Sequence, residues 1–195
     1  VDSTLAQLRE ADLGTPFDPK FAGERIATLD EFLDLADELP IRLNIELKAK
    51  TDAQAAALAE RVVQVLRDRG RLDRHRVCGQ SNQALAVARK LAPELEIGFV
   101  SGAVVGDPTR LDVDFLMMEA RMATRDFVDR ARRRGKPVHA WTVNVVDRVG
   151  PLVDDGVDDL ITDDVIGVRT RLDEITALDP LERILLRIRH ALARR

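Results

Sequence analysis

The chain has 195 residues, 45% hydrophobic and 33% charged, enough apolar material for one sizeable core. A net charge of −4 with no Tyr, six Phe and one Trp argues against a nucleic-acid partner, since little is left to neutralise phosphates or stack on bases. The lone cysteine, Cys78, excludes an intrachain disulfide framework and CxxC metal chemistry; within an apolar run it reads as a small buried hydrophobe and fits a reducing compartment.

No apolar run is long enough to cross a bilayer, and Val1-Asp2-Ser3-Thr4 has neither a basic nor an apolar leader region. The first residue is not Met, so the expectation is that an upstream part is missing.

Up to Arg25 the chain is punctuated by Gly14, Pro16, Pro19 and Gly23 and is expected to be surface loop. Thr28 and Glu31 form a capping-box pair ahead of a helix with Leu29, Phe32, Leu33 and Ala36 as its inward stripe, stopped by Pro40. Arg42 to Lys48 then alternates as a strand.

From there strand and helix take turns. Thr51 or Asp52 caps a helix with Ala55, Leu58, Ala59, Val62 and Leu66 inward, ended by Gly70; Arg76–Gln80 is a strand. Ser81 caps the next helix, with Leu85, Ala88 and Leu91 inward, before the strand Glu96–Val100, the loop Ser101–Thr109 and the strand Val113–Met118. Thr124 opens a helix that runs to Gly135, and the strand Pro137–Val143 follows. A short helix over Asp147–Asp155 ends at Gly156, ahead of the last strand, Val157–Asp163.

These are about six strands, apolar on both faces and joined by short loops, the pattern of a parallel α/β sheet covered by helices. Periodicity alone does not separate an open doubly wound sheet from a barrel, though no GxGxxG follows any strand.

In such a sheet chemistry collects at the carboxyl ends of the strands. Those ends supply Asn44, Glu46 and Lys48; Gln80 and Ser81; Glu119; Trp141, Thr142 and Asn144; and Thr162 and Asp163. Glu46 and Lys48 share one face of their strand, so a carboxylate and an ammonium stand side by side where they could hold a divalent metal and a phosphate oxygen; a plain surface ion pair is the alternative. Trp141 is either the wall of a small-molecule pocket or a core filler.

Three stretches in this order, Ile45-Glu46-Leu47-Lys48, His139-Ala140-Trp141-Thr142-Val143-Asn144 and Gly156-Val157-Asp158-Asp159-Leu160-Ile161-Thr162-Asp163, resemble the later motifs of the glycerophosphodiester phosphodiesterase family. Gly23 to Glu31 is similar to the segment before its metal-ligand strand, and the likeness runs from about Leu5 to Leu172. The resemblance implies a TIM-type (β/α)8 barrel of the phospholipase C-like phosphodiesterase kind, over residues 1–176, followed by a basic amphipathic helix over 177–195. It implies metal-assisted hydrolysis of glycerophosphodiesters to glycerol 3-phosphate and an alcohol, with Mg²⁺ or Ca²⁺ as cofactor. Glu46 matches a metal carboxylate, and Lys48 and Trp141 match substrate-binding positions.

The family's His-Arg-Gly, Glu-x-Asp and His-Asp segments are not found, and His75, His139 and His190 stand outside its contexts. None of the three is expected to be catalytic. Ala27, Asn82 and Asp159 are smaller departures, standing where the family usually has Pro, Phe and Gly. The expectation is therefore a barrel lacking about its first two strands, inactive as this chain alone and prone to self-association through its sheet edges. A barrel relative serving as a binding or scaffold part, and a phosphate-binding lyase or isomerase, are the other readings. The Leu181–Leu192 stripe, flanked by arginines, either packs on its own domain or contacts a membrane surface, so the chain is expected to be cytoplasmic or membrane-associated.

Overall fold

The computed structural model describes residues 3–103 and 106–193; Val1 and Asp2, and residues 104 and 105 of the loop expected over Ser101–Thr109, lie outside the described residues. The chain divides into two compact units, with the boundary between Leu43 and Asn44.

In the first unit the stretch expected as loop contains a one-turn helix, α1 (Leu5–Leu8). Thr4 and Gln7 explain it: the Gln7 amide donates to Thr4 Oγ1 at 3.3 Å while the Thr4 amide donates to Gln7 Oε1 at 2.8 Å. Asp12 gathers the loop that follows, its carboxylate accepting from the amides of Gly14, Thr15 and Gly23 and from the Thr15 hydroxyl. Those bonds, the Thr15 amide first, hold its carboxyl below the usual carboxylate range. α2 (Leu29–Glu38) begins at the expected Thr28–Glu31 capping box. Leu33 and Ala36 of its stripe are buried, but Phe32 is exposed.

The second unit is built on a sheet of six parallel strands, β1 (Asn44–Leu47), β2 (Arg76–Gly79), β3 (Glu96–Ser101), β4 (Phe115–Glu119), β5 (Val138–Trp141) and β6 (Asp159–Leu160), hydrogen-bonded in that order. Helix α3 (Asp52–Asp68) joins β1 to β2, α4 (Asn82–Leu91) joins β2 to β3, α5 (Arg125–Arg132) joins β4 to β5 and α6 (Val149–Asp155) joins β5 to β6. Thr51, Ser81 and Thr124 cap α3, α4 and α5 as their positions predict. Gly156 ends α6 in the left-handed region, at φ 87°.

This order decides what periodicity left open. A doubly wound sheet reverses direction at a switch point; here each strand is added beside the one before it, and right-handed crossovers of one sense bring the connecting helices to one face. That is the winding of a TIM-type barrel. β6 is shorter than expected, and after it come α7 (Val165–Ala177), which the pattern did not predict, and α8 (Pro180–Ala193).

Cross-strand register assigns the faces. Glu46 aligns with Cys78, Cys78 with Gly98 and Gly98 with Phe115, and two residues along β4 Met117 aligns with His139. By alternation Glu46, Cys78, Val100, Phe115, Met117, His139 and Trp141 share one face. The other face presents Leu47, Val77, Ile97, Leu116, Met118, Val138 and Ala140, all buried. On the first face Cys78, Val100, Phe115 and Met117 form a cluster against which Trp141 and Ile161 pack.

Candidate functional site

Glu46 and Lys48 leave the carboxyl end of β1 on the same face, with Glu46 Oε2 3.2 Å from Lys48 Nζ. The Glu46 side chain keeps 29% of its surface exposed and that of Lys48 79%. Both line a cleft of about 550 Å³ together with Lys50, Thr51, Asp52, Gln80 and Ser81. The cleft exists because the loop from β1 to α3 and the turn from β2 to α4 open at the same end of the sheet. Ser81 braces it: its hydroxyl accepts the Ala84 amide as the cap of α4 and donates to Asp52 Oδ1 at 2.6 Å. Asp52 and Lys50 were not singled out as site residues in the sequence, because Asp52 reads there only as a helix cap.

Beneath Glu46 lies Cys78, its register partner, fully buried. Burial, followed by the charge of Glu46, pushes its thiol up to about 12. It stays a thiol at neutral pH and acts as packing, as its apolar context predicted.

Trp141 ends β5 on the same sheet face, half-buried, its indole N–H donating to the Met117 carbonyl at 3.1 Å. Its ring lies against Gly102, where a Cβ would come within 3.3 Å of it. The structure therefore makes it a fixed plate over the core cluster. It does not line the Glu46 cleft. Of the other lip residues, Glu119 is paired with Arg121, and Asn144 is spent on structure: Nδ2 donates to Asp163 Oδ2 at 2.7 Å and Oδ1 accepts the Asp163 amide at 2.9 Å.

None of the three histidines lines the cleft. His75 is fully buried ahead of β2, and His139 is 2% exposed and stacked on Phe115 at 4.8 Å between ring centroids. Burial holds the His139 pKa below its ordinary value. His190 Nδ1 lies 2.6 Å from Asp154 Oδ2, which ties α8 to α6.

A hard divalent cation takes six or more oxygens. Among the described residues no three His, Cys, Asp or Glu side chains are grouped to hold one, and Asp52, the second acid of the cleft, has an oxygen engaged by Ser81. These residues do not complete a metal site; Glu46 supplies one carboxylate to it at most.

A sequence profile of the glycerophosphoryl diester phosphodiesterase family matches residues 1–166. The chain is 28% identical over 170 residues to a glycerophosphodiester phosphodiesterase of Caldanaerobacter subterraneus subsp. tengcongensis, covering 84% of this chain and 68% of that protein. To one of Arabidopsis thaliana it is 24% identical, spanning 84% of this chain and about half, 51%, of that relative. Among solved structures, one described as a glycerophosphoryl diester phosphodiesterase from Silicibacter pomeroyi superposes with a TM-score of 0.79 at 22% identity, over 90% of this chain and 69% of that one. An Oleispira antarctica phosphodiesterase in complex with the product sn-glycerol-3-phosphate gives a TM-score of 0.77 at 24% identity, over 88% of this chain and 71% of that one.

Proposed function

This chain belongs to the glycerophosphoryl diester phosphodiesterase family, and from that premise we propose that its cleft at the carboxyl end of β1 is the phosphate side of a glycerophosphodiester hydrolase site. The observation that carries the reading is the Glu46–Lys48 pair, 3.2 Å apart and opening into the cleft on the sheet face shared with Trp141. Lys48, the more exposed partner, reaches a phosphoryl oxygen as a point charge. Glu46 would contribute one carboxylate to a divalent cation, Mg²⁺ or Ca²⁺, which when bound would neutralise charge on the phosphoryl group. Trp141, on the same sheet face but outside this cleft, would wall the glycerol end of a substrate that extends beyond it. The products are glycerol 3-phosphate and an alcohol.

The chain alone is expected not to turn over substrate, because no histidine reaches the cleft to move a proton. The same observation favours, as a second reading, a barrel that binds without hydrolysing. Titration with sn-glycerol 3-phosphate, with and without Mg²⁺ or Ca²⁺, separates these from a structural ion pair. Binding that needs the cation, disappears in Glu46→Gln and weakens in Lys48→Met supports the site; no binding under any cation condition removes it. Hydrolysis of a glycerophosphodiester by this chain would overturn the expected inactivity.

β1 and β6 each pair on one side only among the described residues, and such edges recruit further strands. Self-association is therefore part of the proposal; a monomer at all concentrations in size-exclusion chromatography removes it.

A further inference from the structure

Helix α8 docks with the wrong side for a helix that covers its own core. Leu181, Ile184, Leu185, Ile188 and Leu192 recur at three- and four-residue spacing and form one stripe, yet each is more than half exposed. What holds the helix is its polar side. His190 Nδ1 and Arg187 Nε reach the two oxygens of Asp154, at 2.6 and 3.2 Å, and Arg183 donates to the Thr176 carbonyl at 2.7 Å. The His190 ring packs onto α6 at Gly150, where a Cβ would come within 2.4 Å of it. These contacts fix the orientation and leave the apolar stripe facing out.

A second observation comes from beside the stripe. Arg148, Arg171, Arg189 and His190 line a groove of about 510 Å³ between α8 and α6, together with Asp147 and with Asp155, which is paired with Arg125. Arg171 is paired with Glu174, but Arg148 and Arg189 have no ion-pair partner among the described residues. Arg189 is four residues past Leu185 and three before Leu192, so it borders the stripe and lines the groove at once. In sequence, residues 180–195 hold five arginines against one glutamate, in a chain whose net charge is −4.

We propose that α8 seats this unit on an anionic phospholipid surface, with its apolar stripe at the acyl boundary and Arg189 and Arg148 receiving lipid phosphates. An apolar stripe bordered by cations, on a helix whose polar side is already used, matches a negatively charged bilayer face. A second copy of the chain matches it less well, because joining two such stripes would bring the Arg189 of each copy, at the border of its stripe, towards the other.

Flotation of the full chain with vesicles of phosphatidylcholine alone and of an equimolar mixture with phosphatidylglycerol tests this. The chain should float with the mixture and not with the neutral vesicles. Ile188→Glu, at an exposed position that leaves the thermal midpoint unchanged, should weaken that binding by at least about tenfold. Should Ile188→Glu disturb folding, Arg148→Glu with Arg189→Glu, placed off the stripe, must abolish the preference for anionic vesicles. Absence of binding to the mixture overturns the proposal. So does a wild-type dimer that Ile188→Glu makes monomeric while vesicle binding is unaffected.

Discussion

Two layers on one face of the sheet, separated by only a few residues along the strands, have opposite fates. At the amino end Arg76 and Glu96 pair at 2.5 Å, the Arg76 guanidinium lies 5.3 Å from the centre of the Phe115 ring, and Phe115 stacks on His139. At the carboxyl end Glu46 pairs with Lys48, and the pair faces a cleft. Each layer contains a carboxylate and a cation, so residue type does not distinguish them. What differs is the cation: at the amino end Arg76 rests on an aromatic ring and is 22% exposed, although Glu96 keeps 42% of its side chain exposed, whereas at the carboxyl end Lys48 is 79% exposed beside the cleft. The amino-end layer, closed by Phe115 and His139, should therefore matter more to stability, and the open layer at the carboxyl end more to ligands.

The largest expected effect tests the closed layer. Phe115 is 2% exposed and touches both Arg76 and His139, so Phe115→Ala should cost about 3–5 kcal/mol, read as a lower urea midpoint at unchanged slope. A loss near that of a surface substitution would mean that the two layers do not differ in packing.

His139 sharpens the same contrast through pH. Its folded-state pKa is lowered by burial, and its Nδ1 has no hydrogen-bond partner among the described residues, so the unfolded chain binds the proton more readily. Its contribution to stability is complete above the unfolded value of about 6.5 and is lost as pH falls from there towards the depressed folded value. Thermal midpoints of the wild type should drop over that interval more steeply than those of His139→Phe. Parallel profiles would show that the closed layer admits the proton freely.

How much of this was legible in the sequence follows from how strongly each segment marks itself. The strands are short runs rich in aliphatic residues, and Thr28, Ser81 and Thr124 announce their helices by side chains that accept a first-turn amide. Helix α7 has a cap too, Asp164 accepting the Gly167 amide, but its apolar residues mark no face: only Val168 and Ile175 are buried, while Val165 and Ile166 at its start are exposed. The order of strands was beyond the pattern altogether, since pairing is a relation between distant segments. At the candidate site, alternation alone put Glu46 and Lys48 side by side. That Asp52 and Ser81 brace the same cleft depends on two loops meeting, which no local signal encodes. The stripe of α8 was plain in the sequence, but its outward orientation rests on Asp154, far away in the chain.

A smaller effect separates cap from brace. Thr124 and Ser81 each cap a helix, but only the Ser81 hydroxyl also bonds across to another loop, at Asp52. Each change to Ala should cost about 1 kcal/mol, with Ser81→Ala the larger because it also frees Asp52. Equal costs in chemical denaturation would remove the brace from the account of the cleft.

The smallest predicted stability change is the one on which the functional reading turns. Glu46→Gln and Lys48→Met each break an ion pair whose cation is 79% exposed, so solvent screening limits the loss to less than about 1 kcal/mol. Side by side with Phe115→Ala, their urea midpoints should barely move while binding of sn-glycerol 3-phosphate in the presence of cation falls. A large midpoint shift in either variant would mean that the pair helps hold the fold together, and the open layer would then lose its claim to be a site.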